Sequence, residues 1–563
     1  MTRTEFSAWC KTVHLLDGAT GSMLRRAGMP TGVCSETWIL DHPQTLIALQ
    51  RAYLAAGSEI IYAPTFGANR VLLGHHDLQR ELRALNRDLV QLGREAVGTS
   101  ALLAGDMTTT GRPVTPGDDS AYETLLEIYR EQAEALLEAG VDLFAVETMM
   151  GVTECMAAIE AIRSLCETPI LCTLSVYSDG KCYFDGSAEE AAELLPGLGA
   201  DAVGINCSSG PDQMGSVVRM MHRAAGDTPI AAKPNAGLPR ADGSGYDITP
   251  QLFAMEMKPY RELGLFAAGG CCGTTPEFIQ LLNGVFADCR PGRPDHPMKS
   301  VVCSPMDCVN VDGITVVGER INPTGKKRFQ QALREGDMNY VLEQAVSQTE
   351  AGAQILDVNV GAPGVDEPAL MEQVVKALQS VVSLPLQLDS SHAEALERGL
   401  RVYNGKPIVN SVNGEAEKLN TILPLCKKYG AAVVGLAIDE RGILPKAEDR
   451  VAIARRIRDA ALAAGIPQED IYIDCLTLTA SAQQEDVLAT VQALHACKEE
   501  LGVRTILGVS NISFGLPCRA YLNTTFLTMA MYAGLDLAIM NPSSEEMMAA
   551  VYAYNVLTNR DRQ

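Results

Sequence analysis

Gly-Gly-Cys-Cys-Gly-Thr-Thr at residues 269–275 is a glycine-rich turn that carries two adjacent cysteines and directly follows the apolar run Leu265–Ala268. A short apolar run of this kind predicts a strand buried on both faces, so the turn lies at the end of a strand. Upstream, Val-Gly-Ile-Asn-Cys at residues 203–207 repeats the arrangement with one cysteine. Two strand ends therefore present three thiols, those of Cys207, Cys271 and Cys272.

Three thiolates from two strand ends can occupy three corners of a tetrahedral zinc site and leave the fourth corner open for a substrate. Their spacing in the sequence matches no short zinc-finger pattern, so two other interpretations stay open. One is that Cys207 is a buried, unreactive thiol. The other is that Cys271 and Cys272 form a strained vicinal disulfide.

A recurring pattern along the chain is a helical segment, then a glycine, then a short apolar run. It occurs with Gly57 before residues 59–64, and again at Gly140, Gly352, Gly430 and Gly534. Glycine just past a helix end supplies the left-handed residue that caps the helix. Repeated alternation of helix and buried strand indicates parallel βα units.

Eight apolar runs lie in each half of the chain, from His14–Asp17 to Leu265–Ala268 and from Thr315–Glu319 to Leu537–Met540. Eight βα units in roughly 250–290 residues is the size of a TIM barrel. No Gly-x-Gly-x-x-Gly follows a strand, which argues against a doubly wound dinucleotide-binding fold. The sequence therefore predicts two consecutive (β/α)8 TIM barrels at residues 1–287 and 313–563, joined by a proline-rich linker at residues 288–312.

The predicted barrels bear on the metal question, because the chemistry of a TIM barrel collects at the C-terminal ends of its strands. Cys207 closes the sixth predicted strand, and the cysteine pair closes the eighth. All three sulfurs then reach one rim, which favours the zinc interpretation.

Composition limits the class of protein and its partners. The net charge of −23 argues against a nucleic-acid partner or an anionic membrane, because either needs a basic face. No apolar run approaches the roughly 20 residues of a membrane span, and the N-terminus has no secretory h-region. The sixteen cysteines are then better explained as free thiols and metal ligands than as a disulfide framework. We expect a soluble, cytoplasmic protein.

The second half has no cysteine set, but most of its predicted strands end in a carboxylate or a carboxamide. Burying so many polar groups costs free energy unless a ligand pairs them. Asp and Asn side chains together match the alternating N–H and C=O edge of a pterin or a guanine. Two alternatives stay open, which are N-capping of the following helices and a divalent-metal site made of carboxylates.

At these residues the chain resembles the cobalamin-dependent methionine synthase family over essentially its whole length. The first half is similar to the homocysteine-binding barrel of that family in residues 16–21, 204–207 and 269–277. The second half is similar to its methyltetrahydrofolate-binding barrel in residues 318–325, 356–359 and 508–517. The double-cysteine loop and the last of these strings, Gly-Val-Ser-Asn-Ile-Ser-Phe-Gly-Leu-Pro, are the specific ones.

The resemblance implies that Cys207, Cys271 and Cys272 bind zinc, with the homocysteine sulfur as fourth ligand. It implies that Asp17 and Glu147 hold the amino-acid end of homocysteine. Asn235 lies at a predicted strand end near the metal and is a candidate for the fourth position when substrate is absent.

In the second barrel the resemblance implies that Asp389, Asn410 and Asp474 recognise the pterin. Asn511 matches the residue that hydrogen-bonds near the pterin N5, so Asn511 and the three cysteines are the expected catalytic residues. The further members expected in the folate pocket are Glu319, Asn322, Asp357 and Asn359.

The resemblance implies a methyl transfer from 5-methyltetrahydrofolate, through a corrinoid, to zinc-bound homocysteine, which gives methionine and tetrahydrofolate. The cobalamin-binding signature of the family, Asp-x-His-x-x-Gly, does not occur in this sequence. We therefore expect the cobalamin to come from another domain or another chain. The alternatives are a corrinoid-independent homocysteine S-methyltransferase and a pterin- or zinc-binding module without turnover of its own.

Overall fold

The computed structural model of the protein describes residues 1–114, 119–240, 245–291 and 299–560. The chain divides into two compact units, with the division between residues 291 and 299. Each unit contains a parallel eight-stranded barrel surrounded by helices, which confirms two consecutive TIM barrels. Residues 292–298 of the expected linker lie outside the described residues.

The strands of the first barrel agree with the predicted apolar runs to within a few residues. Strand β8 begins and ends where the sequence predicts, and β6 ends just before Cys207 as expected. The eight strands are β1 (His14–Leu15), β2 (Ile60–Tyr62), β3 (Leu102–Thr108), β4 (Leu143–Met149), β5 (Ile170–Leu174), β6 (Ala202–Asn206), β7 (Ile230–Lys233) and β8 (Leu265–Ala268).

All neighbouring strands of the first barrel are parallel. Pairing runs from β2 through β8 in chain order and then to β1, where His14 lies opposite Ala267. A bridge between Leu16 and Ile60 joins β1 to β2 and completes the ring. The carboxyl ends of all eight strands therefore meet at one rim.

The helices of the first unit lie outside the barrel. Glycine ends α4 as predicted, because Gly57 has φ of 109° and takes the left-handed cap. The helices are α1 (Arg3–Trp9), α2 (Gly21–Arg26), α3 (Ser35–Asp41), α4 (Pro43–Ala56), α5 (Arg70–Gly74), α6 (Leu82–Val97), α7 (Asp119–Ala139), α8 (Val152–Arg163), α9 (Ala188–Leu198), α10 (Pro211–Ala224), α11 (Pro250–Met257) and α12 (Pro276–Phe286).

The apolar core of the first unit has two layers. One fills the barrel interior with side chains such as Leu143, Leu171 and Phe266. The other lies between the sheet and the helices and includes Val146 and Ile159. Strands buried on both faces explain why the sequence shows continuous apolar runs rather than alternation.

The second unit contains a closed barrel of eight parallel strands, with Thr315 of its first strand opposite Leu537 of its last. A short antiparallel hairpin, β9 (Val301–Cys303) and β10 (Cys308–Asn310), precedes it. The barrel strands are β11 (Thr315–Ile321), β12 (Ile355–Val358), β13 (Leu386–Asp389), β14 (Ile408–Asn413), β15 (Ala432–Leu436), β16 (Ile471–Asp474), β17 (Arg504–Gly508) and β18 (Leu537–Met540).

The helices of the second unit alternate with its strands. A 3₁₀ helix, Val509–Ser513, follows β17 directly. The helices are α13 (Lys327–Glu335), α14 (Met338–Glu350), α15 (Glu367–Gln379), α16 (Ala393–Arg401), α17 (Ala416–Lys428), α18 (Ala447–Ala463), α19 (Val487–Ala496), α20 (Arg519–Ala533) and α21 (Glu545–Leu557).

The hairpin occupies residues that the sequence predicts as linker. Val302 and Val311 are fully buried and pack with Val317 and Ile408 of the barrel interior. The backbone of Cys303 exchanges two hydrogen bonds of 3.0 Å with that of Lys406, just before β14. These residues therefore close the N-terminal end of the second barrel.

None of the helices within the described ranges combines the length and the apolar character that a membrane span requires.

Candidate functional site

The three predicted zinc ligands come together at the rim of the first barrel. The sulfur atoms of Cys207, Cys271 and Cys272 all lie within 4.8 Å of one another, and those of Cys207 and Cys272 are 3.4 Å apart. All three residues are half-buried and carry free thiols. The cluster therefore offers three soft sulfur donors, the kind of ligand set that zinc prefers.

The loop after β8 reaches this position because it has no side chains at Gly269 and Gly270. A Cβ at Gly269 would lie 2.7 Å from the Cβ of Leu16, and one at Gly270 would lie 2.4 Å from Thr274 Oγ1. The Cys271 N–H donates to the Pro234 carbonyl at 2.8 Å and ties the loop to the end of β7. The paired glycines let the cysteines pack close to the barrel mouth.

Cys207 has φ of 57°, a left-handed backbone conformation that residues other than glycine rarely adopt. Its N–H donates to the Lys233 carbonyl at 3.2 Å, which holds the residue in this conformation. Hydrogen bonds from the thiols of Cys207 and Cys271, together with the hydroxyl of Tyr246, hold the pKa of Cys272 well below its usual value. The same hydrogen-bonded contacts raise the pKa of Cys271, so negative charge in the cluster is favoured on Cys272.

A cavity of about 230 Å³ opens beside the cysteines. Most of the strand ends of the barrel contribute a side chain to its wall. Besides the three cysteines, the polar residues in the wall include Asp17, Tyr62, Asp106, Glu147, Thr148 and Lys233. Asp17 and Glu147, the two acidic residues that the resemblance singles out, therefore lie in the same cavity as the cysteines.

Lys233 lies between these two acids. Its Nζ is 3.2 Å from Asp17 Oδ1, 3.3 Å from Glu147 Oε2 and 3.6 Å from the centre of the Tyr62 ring. Burial raises the pKa of both Asp17 and Glu147, although Lys233 opposes that effect. For Lys233 burial acts to lower the pKa, but Glu147, Tyr62 and Asp17 outweigh it, so its pKa is raised and the ammonium is charged.

Asn206 ties three neighbouring strand ends together. Its Oδ1 accepts from the Thr148 N–H at 2.8 Å and from Thr173 Oγ1 at 2.9 Å. Its Nδ2 donates to Thr148 Oγ1 at 2.7 Å and to Glu147 Oε2 at 3.3 Å. Asn206 therefore fixes Glu147 relative to Cys207, the next residue along the chain.

Asn235, the candidate for the fourth metal position, contacts the backbone of Cys207. Its Nδ2 donates to the Cys207 carbonyl at 3.0 Å. Its Oδ1 is buried and has no hydrogen-bond partner within the ranges that the structure describes. The side chain is thus near the cluster, with one amide oxygen unused.

Sequence reasoning did not assign roles to Lys233, Asp106 or Tyr246. Lys233 ends β7 and Asp106 lies near the end of β3, so a charged residue at the end of an apolar run was the signal that could have found both. Tyr246 follows the undescribed residues 241–244 and carries no comparable signal.

In the second barrel, the polar residues at the strand ends form connected pairs. Asn359 Nδ2 donates to Asp389 Oδ2 at 3.0 Å. Asp357 accepts from Gln387 Nε2 at 2.7 Å and also from the side chain of Asn410. Four of the predicted folate residues therefore lie together across β12, β13 and β14.

Three of the predicted folate-site residues hydrogen-bond to the backbone of the loop that follows them. The side-chain oxygens of Asn322, Asn359 and Asp474 each accept from the backbone N–H two residues later, at 2.9, 2.9 and 2.7 Å. These are Asx turns, which end a strand and redirect the chain. Helix capping does not explain the set, since in the described part of this unit the N-caps with a side-chain hydrogen bond are Asp337 and Asp366.

The electrostatics of the second site favour a ligand with N–H donors. Burial raises the pKa of Asp389 to about 6 and that of Asp474 to about 7. Burial, followed by the charge of Asp389, raises the pKa of Asp357 well above its usual value. Each carboxyl loses hydration that the protein replaces only in part, so a hydrogen-bonding ligand stabilises it.

Glu319 of β11 contacts Ser510, the residue that precedes Asn511 in the 3₁₀ helix after β17. Burial raises the pKa of Glu319, which also accepts a hydrogen bond from Ser510, the neighbour of Asn511. Lys326 donates to the Glu319 carbonyl at 2.8 Å. Asn511 itself is exposed on the short 3₁₀ helix, so its amide is accessible to a ligand.

Comparison with known proteins finds a different family match for each barrel. Residues 14–286 match the homocysteine S-methyltransferase family, and residues 318–541 match the pterin binding enzyme family. A solved homocysteine methyltransferase, MmuM from Escherichia coli in its oxidised form, aligns with 21% identity and a TM-score of 0.41 over 48% of this chain and 95% of that one.

Two curated relatives align with both barrels at once. The chain is 31% identical over 568 residues to the methionine synthase of Mycobacterium leprae (strain TN), and 32% identical over 565 residues to that of Mycobacterium tuberculosis (strain ATCC 25618 / H37Rv). Each alignment covers 94% of this chain and 47% of the relative, so the chain spans about half the length of these relatives. The two matched domains, together with these alignments, fit the N-terminal half of a cobalamin-dependent methionine synthase.

Proposed function

We propose that the first barrel binds homocysteine, that the second binds 5-methyltetrahydrofolate, and that the chain takes part in methyl transfer from the folate to the homocysteine sulfur. The observation that carries the proposal is the three-cysteine cluster at the edge of a cavity that also contains ionised groups. Such a cavity matches a ligand that has a thiol at one end and an amino-acid group at the other.

Zinc fits the three-cysteine cluster. The donors are all sulfur and lie close enough to share one ion, and hydrogen bonds within the cluster lower the pKa of Cys272, which supports a metal-binding role. When bound by Cys207, Cys271 and Cys272, zinc supplies a Lewis acid that holds a substrate thiol as its nucleophilic thiolate at neutral pH.

The chain's own residues orient homocysteine in the cavity. The sulfur lies on the cysteine side, and the amino-acid end lies at the acidic cluster that includes Asp17 and Glu147. Because this cluster is buried, an ionic contact there is stronger than one in water. Asn235 stays available beside Cys207 when no substrate is bound.

In the second barrel the polar strand ends recognise the pterin. Asp389, Asn410 and Asp474 supply acceptors and donors for its edge, with Glu319, Asn322, Asp357 and Asn359 completing the pocket wall. The exposed amide of Asn511 lies where it can hydrogen-bond near N5. An amine at N5 is a poor leaving group, so it gains positive charge as the methyl group departs, and a hydrogen bond there acts mainly in the transition state.

The carrier of the methyl group is a corrinoid supplied by another domain or another chain. This follows from the resemblance and from the missing Asp-x-His-x-x-Gly signature, while the relatives are about twice as long as this chain. We place the protein in the cytoplasm, because all sixteen cysteines carry free thiols, as expected in a reducing compartment.

Two half-reactions with added corrinoid test the proposed function. Methylcobalamin with homocysteine is expected to give methionine, and methyltetrahydrofolate with cob(I)alamin is expected to give methylcobalamin. Activity in the first reaction alone favours a homocysteine methyltransferase with another donor. Binding of zinc and folate without either reaction favours a binding module.

Asn511→Ala tests the folate site. We expect the rate of methyl transfer from methyltetrahydrofolate to fall about 10-fold or more, with little change in folate affinity, because the hydrogen bond belongs to the transition state. Asn420→Ala, on the exposed face of α17, is the control. Equal losses of rate and affinity for Asn511→Ala contradict a transition-state role.

A further inference from the structure

A pair of cysteines lies on the two strands of the hairpin that closes the second barrel. In the register of β9 and β10, Cys303 lies directly opposite Cys308. Their Sγ atoms are 2.8 Å apart, and both residues are thiols in the structure. Neither residue belongs to the sites proposed for zinc, homocysteine or folate, so the pair needs an explanation of its own.

The pairing of the two backbones brings these side chains together. The Ser304 N–H donates to the Asp307 carbonyl at 2.8 Å, one position closer to the turn than the cysteine pair. Cys303 and Cys308 therefore form a non-hydrogen-bonded pair, in which the Cα atoms of antiparallel strands are about 4.5 Å apart and the side chains lie closer. A disulfide needs Cα atoms about 4.4 to 6.8 Å apart, and a pair of this kind meets that requirement.

The turn between the cysteines is held by one buried side chain. Ser304 Oγ accepts from the Met306 N–H at 3.1 Å and from the Asp307 N–H at 2.9 Å. It also donates to the carbonyl of Ser383, outside the hairpin. Because the turn is ordered before any bond forms, closing a disulfide across it costs little additional conformational entropy.

Cys303 is the anchored member of the pair. Its backbone exchanges two hydrogen bonds with that of Lys406, and its carbonyl also accepts from the Tyr403 hydroxyl at 2.8 Å. A Cβ at Gly405 would lie 2.4 Å from the same carbonyl oxygen, so a glycine there lets β9 pack this closely. The hairpin is therefore fixed to the barrel through β9.

The two thiols differ in their access to solvent. Cys303 is fully buried, whereas Cys308 is half-buried and follows a turn in which Met306 is 71% exposed. A small oxidant therefore reaches Cys308 first. The sulfurs of Cys475 and Cys497 are 3.8 Å apart, but both residues are fully buried, so that pair lacks the same access.

We propose that Cys303 and Cys308 are an oxidative modification site, which a peroxide converts into a disulfide across the hairpin. With hydrogen peroxide, the Cys308 sulfur attacks the O–O bond and becomes a sulfenic acid, and its thiol proton leaves with the released oxygen as water. The Cys303 sulfur then attacks the sulfenic sulfur, the S–O bond breaks, and the oxygen leaves with the Cys303 proton as a second water. Two thiols are thus oxidised to a disulfide while the peroxide is reduced to water.

The modification adds a covalent link to the structure that closes the N-terminal end of the second barrel. In a reducing compartment the pair stays as thiols, so the link forms only when an oxidant is present. The link prevents β9 and β10 from separating, and hydrogen exchange of the backbone amides at residues 301–311 should therefore slow about 10-fold or more. The inference does not depend on the proposed methyl transfer.

The test treats the reduced, zinc-containing protein with hydrogen peroxide and maps its peptides under non-reducing conditions. Cys518, which is exposed in the same barrel, shows when the dose oxidises accessible thiols. The variants are Cys303→Ser and Cys308→Ser, with Cys518→Ser as the matched control. Hydrogen exchange of the wild type is measured before oxidation, after it, and after reduction with dithiothreitol.

We expect a disulfide between Cys303 and Cys308 in the wild type and in Cys518→Ser, slower exchange at residues 301–311, and recovery of the original exchange rate on reduction. In Cys303→Ser the oxidised Cys308 lacks its partner, so it should capture added glutathione as a mixed disulfide. Oxidation of Cys518 in the wild type without a disulfide in the hairpin would overturn the inference. Unchanged exchange of the hairpin amides in the oxidised protein would also overturn it, because the link would then not hold the two strands together.

Discussion

Two residues at the mouth of the first barrel adopt a left-handed backbone that does not suit their side chains. Thr148 has φ of 58° and Cys207 has φ of 57°. For residues other than glycine this conformation costs about 1 kcal/mol, and it persists where the surroundings enforce it. Here Asn206 holds Thr148 and the Lys233 carbonyl holds Cys207. The strain is thus located where Glu147 and Cys207 are aimed into the cavity.

The first prediction at this scale concerns the metal. Cys207→Ser should reduce bound zinc from about one ion per chain to near zero, because two thiolates and a hydroxyl make a much weaker site for zinc. Metal analysis of the purified protein is the measurement. Cys166→Ser, a half-buried cysteine of the same barrel outside the cluster, is the control and should keep its zinc. Full zinc occupancy in Cys207→Ser would show that the ligand assignment is wrong.

The second prediction concerns pH in the folate site. Burial raises the pKa of Asp474 to about 7, so this carboxyl takes up a proton as the pH falls through that value. The ionised form is the one that accepts hydrogen bonds from pterin N–H groups, so folate affinity should fall between about pH 8 and about pH 6. Asp389, whose pKa burial raises to about 6, contributes a second step at lower pH.

Asp474→Asn separates the two steps. This variant should bind methyltetrahydrofolate more weakly at high pH and should lose the step near pH 7, while the step of Asp389 remains. Fluorescence or calorimetric titration at several pH values measures this, with Asp459→Asn on the exposed side of α18 as control. A step near pH 7 that survives in Asp474→Asn contradicts the assignment.

The residues found from sequence and those missed all lie at or near strand ends. Cys207, Asp389 and Asp474 stand at strand ends, with side chains whose chemistry suggests a ligand. Lys233 and Asp106 also stand at strand ends, yet a charged residue there is exposed or buried depending on how the barrel closes. Only the closed barrel shows that Lys233 contacts two acids, while Asp106 Oδ1 has no hydrogen-bond partner among the described residues.

At the scale of the element, the strands were the most predictable part of the fold. A strand in a TIM barrel is buried on both faces and follows a glycine-capped helix, so local sequence contains both signals. Gly57 and Gly534 each have φ of 109° and end α4 and α20 just before a strand. Contacts with the rest of the fold therefore change the ends of these strands little.

The hairpin β9–β10 was not predictable in the same way. The proline-rich residues just before it predict an irregular connection, and two three-residue strands give no periodic signal. The hairpin forms because Val302 and Val311 enter the open N-terminal end of the second barrel and pack on its interior residues. A contact made only after the barrel has closed cannot be seen in local sequence.

This packing leads to the third prediction. Val302→Ala should destabilise the second barrel by about 2 kcal/mol, because it leaves a cavity in a fully buried layer. Denaturant unfolding, monitored by the loss of folate binding, measures the change in stability. Val381→Ala, at a half-exposed valine after α15, is the control and should change stability little. Equal stability of the two variants would indicate that the hairpin does not contribute to the second core.

At the scale of the whole molecule, each barrel has its own core and its own set of candidate ligands. Among the described residues, the core of the first unit ends at Cys289 and that of the second begins at Val302. Loss of zinc from Cys207→Ser should therefore leave folate affinity unchanged, and loss of pterin recognition from Asp474→Asn should leave zinc content unchanged. These two measurements are made on the variants already described.

The last prediction concerns the carrier of the methyl group. If the methyl group passes through a corrinoid, then methionine formation from methyltetrahydrofolate and homocysteine should be undetectable in corrinoid-free buffer. Added corrinoid should restore it at a rate proportional to corrinoid concentration. The proportional range should extend well beyond micromolar, because a tethered carrier domain has an effective concentration of roughly millimolar and a free one lacks this advantage. Methionine made without any corrinoid would contradict the two-step route and favour direct transfer between the substrates.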